Sequence, residues 1–211
     1  MIKRLLGIVL LLVSLQANAL DFSIGAGVSQ FTADNGTWYQ EEFPHKLNLT
    51  SSAFIAKIEQ SINDKYAINA GYLYLGKTSS DALASASDAD HSWPLSNWIG
   101  YGDVKGFFLQ GKRKFSNGIF IEGGTYYYKA TWQEYISDWR ACADCATQYV
   151  EVSHVPKWKL APIYGLGYQK DNWSVALQQT WVDADEGSVE GTNFPAVYKK
   201  YTTSIFVNYT F

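Results

Sequence analysis

The sequence predicts an all-β protein, a single eight-stranded antiparallel up-and-down transmembrane β-barrel with four long outer loops and three short periplasmic turns. Three observations carry this expectation. In the carboxyl-terminal stretch, Tyr201, Thr203, Ile205, Val207, Tyr209 and Phe211 alternate with Thr202, Ser204, Phe206, Asn208 and Thr210. Side chains alternate across a strand, so one face is apolar with aromatics at both ends and the other is mostly small and polar, as in a stave with lipid outside and a polar lumen inside. Segments of this kind recur along the chain, joined alternately by long and very short connections. No later apolar run approaches the roughly 20 residues of a membrane-crossing helix.

Residues 1–19 read as a cleaved secretory signal peptide. Lys3 and Arg4 give a positive start, Leu5 to Leu15 an apolar core, and Ala17-Asn18-Ala19 a small-x-small cleavage site. No Cys follows the site, so a lipid anchor is not expected. Residues 20–211 then form the barrel, a length suited to one domain. The formal charge is −3, and loss of Lys3 and Arg4 makes the mature part more acidic, which argues against nucleic acid as a partner. With 15 Tyr, 11 Phe and 8 Trp but 2 Cys, the chain is aromatic-rich and not a disulfide scaffold.

Strand one alternates Phe22, Ile24, Ala26 and Val28 with small inward residues, and a polar, aromatic loop follows at Thr32–Lys46. Strand two, Leu47–Glu59, turns Lys57 and Glu59 inward near its end, and Ile62–Lys65 is a short turn. Strand three, Tyr66–Gly76, places Tyr66, Ile68, Ala70, Tyr72 and Tyr74 on one face, and the longest loop, Lys77–Asp103, is rich in Ser, Ala and Asp. Val104–Lys114 and Ile119–Trp132 form the clearest hairpin, around Ser116-Asn117-Gly118. A three-residue turn with a Gly bulge sets Phe107, Leu109 and Gly111 outside, opposite Tyr127, Thr125 and Gly123, with Lys112 beside Glu122 inside. A two-residue turn would push Lys112 and Gln110 into lipid, where a charge costs roughly 2–4 kcal/mol at the midplane. A loop at Glu134–Pro156, strand six at Trp158–Gln169, a tight turn, strand seven at Trp173–Val182, a loop at Asp183–Val197 and strand eight at Tyr198–Phe211 complete the circuit.

A terminal Phe211 preceded by alternating aromatics is similar to the closing strand of bacterial outer-membrane β-barrels. With the even strand count and the alternation of long loops and short turns, the chain resembles the small eight-stranded OmpA/OmpX-like barrel group. The resemblance implies a Gram-negative outer-membrane protein, surface-exposed loops, periplasmic termini and a monomer. It also implies that Tyr209 and Phe211 serve as an assembly signal for the barrel-assembly machinery. Separately, the stretch Asn35–Leu47 is similar to a segment of uncharacterised proteins of Gram-negative bacteria and their phages, which implies a phage-related origin but no activity.

An eight-stranded barrel is just wide enough inside for side chains to fill. Lys57, Glu59, Lys112 and Glu122 are therefore expected to form a lumenal charge network, a static plug rather than an ion gate. Lys46, Lys77, Lys105, Lys129, Lys157, Lys159, Lys199 and Lys200 fall at the outer ends of the strands. A belt of this kind would meet the phosphates of lipopolysaccharide; snorkelling at any interface is the plain alternative. Trp38, Tyr39, Phe43, His45, Trp93, Trp98 and Trp139 lie on the loops and suggest a recognition surface. Cys142 and Cys145, in an exported protein, are expected to close a disulfide within one loop.

Catalytic and metal readings are weaker. His45, His91 and His154 lie on three different loops, as solvated histidines do, and no metal or cofactor is expected. Asp183-Ala-Asp185-Glu186-Gly187 lacks the spacing of a calcium loop. The barrel class includes lipid A deacylases with a His-x-Ser pair on a strand, but His91-Ser92 and Ser153-His154 are adjacent and on loops. The expected function is non-enzymatic: recognition, adhesion, envelope masking or phage exclusion through the outer loops. Its partners would be outer-membrane lipids, lipopolysaccharide and a host or phage surface ligand. A narrow ion-conducting pore and a lipid A-modifying enzyme are the alternatives.

Overall fold

Alternating sequence becomes strand almost throughout. The computed structural model describes residues 20–33, 45–84, 96–139, 148–153, 156–183, 187–189, 192–194 and 198–211. Its strands are β1 (Leu20–Ala33), β2 (His45–Asn48), β3 (Thr50–Ser61), β4 (Tyr66–Ala84), β5 (Ser96–Lys114), β6 (Ile119–Trp139), β7 (Gln148–Ser153), β8 (Trp158–Lys170), β9 (Trp173–Asp183), β10 (Gly187–Val189), β11 (Thr192–Phe194) and β12 (Tyr198–Thr210). Eight of these close a barrel in the order β1-β3-β4-β5-β6-β8-β9-β12, with every pair antiparallel and β12 returning to β1. Closure pairs each stave on both sides, which removes the exposed edges of an open sheet. The signal peptide lies outside the described residues.

The short turns at 62–65, 115–118 and 171–172, together with Leu20 and Phe211, lie at one end of the barrel, called the turn end. The β5–β6 turn is the expected one. The Gly118 N–H donates to the Phe115 carbonyl at 3.1 Å and Phe115 N–H to Ile119 O at 2.8 Å. Gly118 takes φ +84°, a left-handed value that glycine adopts without a Cβ penalty. The register that follows pairs Gly111 with Gly123 and Lys112 with Glu122.

The outer face carries exposed apolar side chains in a band, among them Ile24, Val28, Leu109, Ile121, Leu160, Leu166, Leu177, Ile205 and Val207. Aromatics border it at the turn end (Phe22, Tyr66, Tyr168, Trp173, Phe211) and at the far end (Phe107, Tyr127, Trp158, Trp181, Tyr201). From Tyr201 to Tyr209 the strand climbs about 26 Å, or roughly 20 Å after the tilt of a barrel stave.

Three departures from the sequence expectation stand out. First, the connection expected as a loop at Lys77–Asp103 is largely strand: Lys77 pairs with Asp103 and the ladder continues without a break to Ala84 and Ser96. Its Ser/Ala/Asp composition hides an extended ribbon that backbone pairing alone supports. Second, the connection expected at Glu134–Pro156 contains the end of β6 and all of β7, which pair with one another. The connection expected at Thr32–Lys46 likewise ends in β2, paired with β4, and the one at Asp183–Val197 holds the β10–β11 hairpin. Third, β4 bulges at Leu75 and Gly76, so Leu73 and Leu75 face inward below the bulge and Thr78 above it. Gly76 holds φ +99°, and Ser51 Oγ accepts the Lys77 N–H beside it at 2.6 Å.

Candidate functional site

The lumen is divided. Toward the turn end it is polar, as the alternation of small and charged residues requires, and Lys57, Glu59, Lys112 and Glu122 are all buried there, at 4–5% exposure. Lys112 Nζ donates to Glu59 Oε2 at 2.9 Å and to Gln169 Oε1 at 3.0 Å, and sits 4.2 Å from the Phe120 ring centre. Lys114, which sequence reasoning passed over, places its ammonium 2.5 Å from Glu59 Oε1. Its position two residues past Lys112 on one strand face was the available signal.

The expected register of Lys112 beside Glu122 holds, but the two do not compensate each other's charge. The two are cross-strand neighbours, but no ion pair joins them. The lysine reaches across to β3, while Glu122 accepts from Gln178 Nε2 at 2.6 Å and Asn69 Nδ2 at 3.3 Å. Lys57 has no ion-pair or hydrogen-bond partner among the described residues. Gly165 leaves room for one of these long side chains: a Cβ there would lie 3.1 Å from Glu122 Oε1.

Toward the far end the lumen is largely apolar, with small buried hydroxyls such as Ser29, Thr202 and Ser204 beside it, a balance that the expected polar interior did not foresee. Phe31, Leu73, Leu75, Val104, Phe108, Tyr126, Trp132, Ile163, Val182 and Phe206 pack into one buried cluster. The Tyr126 hydroxyl donates to Leu73 O at 3.0 Å, so its polar atom is satisfied inside the cluster. The lumen is thus stoppered by close-packed side chains above a polar chamber.

The expected belt of lysines resolves into different roles. Lys105 and Lys129 are paired across β5 and β6 on the outer face, just beyond the Phe107 and Tyr127 aromatics, and Lys77 pairs with Asp103 beside them. Asp103 partly neutralises this patch, taking Lys105 Nζ at 3.1 Å and the Thr131 hydroxyl at 2.6 Å. Lys159 shares the inner face of β8 with Ala161 and Ile163, and its ammonium bonds the Asp183 carbonyl at 3.2 Å. It therefore faces the lumen mouth, because Trp158 and Leu160 take the outer face. Lys157 is exposed just before β8. Lys46 lies on β2, and Lys199 and Lys200 lie on β12.

Beyond this rim, β4, β5, β6 and β7 continue as a projecting sheet. Its outer face carries Tyr101, Tyr135 and Tyr149, with ring centres 6.2 Å apart in each successive pair. With Ile99 and Ser137 they line a hollow of about 440 Å³. Gln133 donates to Glu151 beside them. Of the aromatics and histidine expected as a loop surface, His45, Trp98 and Trp139 belong to strands. Trp38, Tyr39, Phe43, Trp93, His91, His154, Cys142 and Cys145 lie outside the described residues. At the turn end Phe211 stacks on Phe22 at 5.9 Å, donates its N–H to Phe22 O at 2.9 Å, and meets Tyr209 edge-on at 5.1 Å.

No family model matches the chain, and no curated protein sequence does. Solved structures do match. Ail, the attachment invasion locus protein of Yersinia pestis, is 13% identical with a TM-score of 0.52, covering 91% of this chain and 97% of its own. CarO of Acinetobacter baumannii is 14% identical with a TM-score of 0.42, covering 89% and 97%. The amino-terminal barrel domain of OprF from Pseudomonas aeruginosa is 9% identical with a TM-score of 0.31, covering 90% and 97%. The chain has the closed eight-stranded antiparallel fold of the small outer-membrane β-barrels.

Proposed function

We propose that the protein spans the outer membrane with its turn end toward the periplasm and acts by binding at the cell surface rather than by catalysis. The observation that carries this reading is the projecting sheet. From Lys77–Asp103 to Ala84–Ser96 the β4–β5 ladder runs on about 23 Å along the strand past the rim. A barrel needs no such extension to close, and its outer face bears solvent-exposed tyrosines over a hollow. Large exposed apolar patches on a polar surround mark interaction sites. The attachment role in the name of Ail, whose barrel is alike in fold, is consistent with it. The outer patch of Lys77, Lys105 and Lys129 stands where lipopolysaccharide phosphates would lie, and would anchor the sheet beside them.

The test replaces residues 80–99 by an Asn-Gly turn. Membrane insertion, read as heat-modifiable mobility, is expected to survive. Binding to host cells, serum resistance or phage exclusion, whichever the parent confers, is expected to be lost. A shortened protein that inserts and keeps the phenotype would move the function into the barrel.

A further inference from the structure

Most strand glycines of this barrel are demanded by their neighbours. A Cβ on Gly124 would lie 1.9 Å from the Leu109 carbonyl oxygen, and one on Gly106 2.2 Å from that of Tyr127. Gly111 and Gly123 are different. They pair directly between β5 and β6 in an unbroken register, on the outer face. A Cβ on either would meet nothing closer than 3.9 Å. No bulge, turn or positive φ uses them. Glycine weakens a strand interior, and where the backbone does not need it, it marks the close approach of something else.

Together they border an open groove of about 680 Å³, lined also by Tyr66, Ile68 and Ile121. Two residues further along the same face, toward the turn end, Arg113 is exposed. Its guanidinium carbon lies 5.1 Å from the Phe115 ring centre and 6.0 Å from that of Tyr66. This is the level at which the apolar band gives way to water.

We propose that this groove seats one anionic phospholipid of the leaflet at the turn end, an acyl chain lying over Gly111 and Gly123 and the phosphate held by Arg113. The inference rests on the membrane-spanning reading above. The missing side chains let a hydrocarbon chain pack against the backbone, gaining dispersion contacts along its length. The planar guanidinium, oriented by two rings, matches a phosphate with two parallel hydrogen bonds. A second copy of this chain is a poorer occupant, because a two-fold contact through the groove would bring the two Arg113 charges together.

Native mass spectrometry of the refolded full chain in detergent, with phosphatidylglycerol or phosphatidylcholine added, tests this. The parent is expected to retain one phosphatidylglycerol, roughly fivefold over phosphatidylcholine, the effect of one basic residue at a membrane surface. Arg113→Gln, at an exposed position, should fold and lose the preference while still holding either lipid. Gly111→Leu and Gly123→Leu should fill the groove and release both. An unchanged preference in Arg113→Gln overturns the proposal, as does lipid retention by folded leucine variants. A dimer of the parent that Gly123→Leu dissociates would assign the groove to a second copy instead. Insertion into vesicles is followed in parallel: a parent that inserts yet shows no lipid preference sinks the site alone, and one that fails to insert sinks the membrane reading as well.

Discussion

Glu59 accepts the ammonium groups of both Lys112 and Lys114, at 2.9 and 2.5 Å, so one buried carboxylate holds two lysines of the neighbouring hairpin. Removing one partner of a buried pair leaves an uncompensated charge and costs about 3–5 kcal/mol. Glu59→Gln is therefore expected to lower the urea stability of the refolded barrel by roughly that amount. Glu122→Gln should cost only about 1 kcal/mol, since its partners are neutral amides. In double-mutant cycles, Lys112→Met should couple strongly to Glu59→Gln and act almost additively with Glu122→Gln. Stronger coupling to Glu122 would refute the pairing of β5 with β3 through Glu59.

The apolar stopper makes a statement about conductance. In planar bilayers the parent should pass no steady ion current, because Phe108, Tyr126 and Phe206 are large members of the buried cluster packed in the far part of the lumen. Changing all three to Ser should remove the packed layer and admit water, opening a measurable conductance. A parent that conducts as well as the triple variant would restore the pore reading.

Phe211 ties the last strand to the first through the Phe22 ring and carbonyl. Its deletion should reduce membrane-inserted, heat-modifiable protein far more than Thr210→Ala does. Equal insertion of the two would detach the terminal aromatic from assembly.

The β5–β6 turn depends on Gly118. A Cβ there would lie 2.6 Å from the Gln169 carbonyl oxygen and would have to sit at φ +84°. Gly118→Ala should cost about 1–3 kcal/mol in urea unfolding, and Ser116→Ala close to nothing. Similar midpoints for the two would mean that the turn relaxes freely.

The barrel and its inner register were legible because two independent signals agreed. Asn117-Gly118 fixed the turn, and the need to keep Lys112 and Gln110 from lipid fixed the phase; the pairing of Lys112 with Glu122 followed. The partner of Lys112 was not legible, since Glu59 lies on β3, one stave beyond the β4 neighbour of β5, and meets it only where the sheet curves round the lumen. The bulge at Gly76 was hidden because Leu73, Leu75 and Gly76 fit a strand of either phase. The projecting sheet was hidden for a related reason. Residues 77–84 are mostly small and polar, and in 96–103 the large Trp98, Ile99 and Tyr101 follow no sustained alternation, so no strand period shows where the backbone pairs. Phe206 was placed on the inner face from alternation, yet its part in a stopper depends on Tyr126 and Phe108 arriving from other staves.

The bulge at Leu75 and Gly76 also separates two regions of one long strand. Below it, Tyr66 to Tyr74 keep one outward phase; above it, the phase is reset. Lengthening or trimming the outer sheet therefore leaves the outward pattern below the bulge undisturbed. The strand behaves as a mast stepped into a hull: its upper part can be recut while the fitting below stays the same.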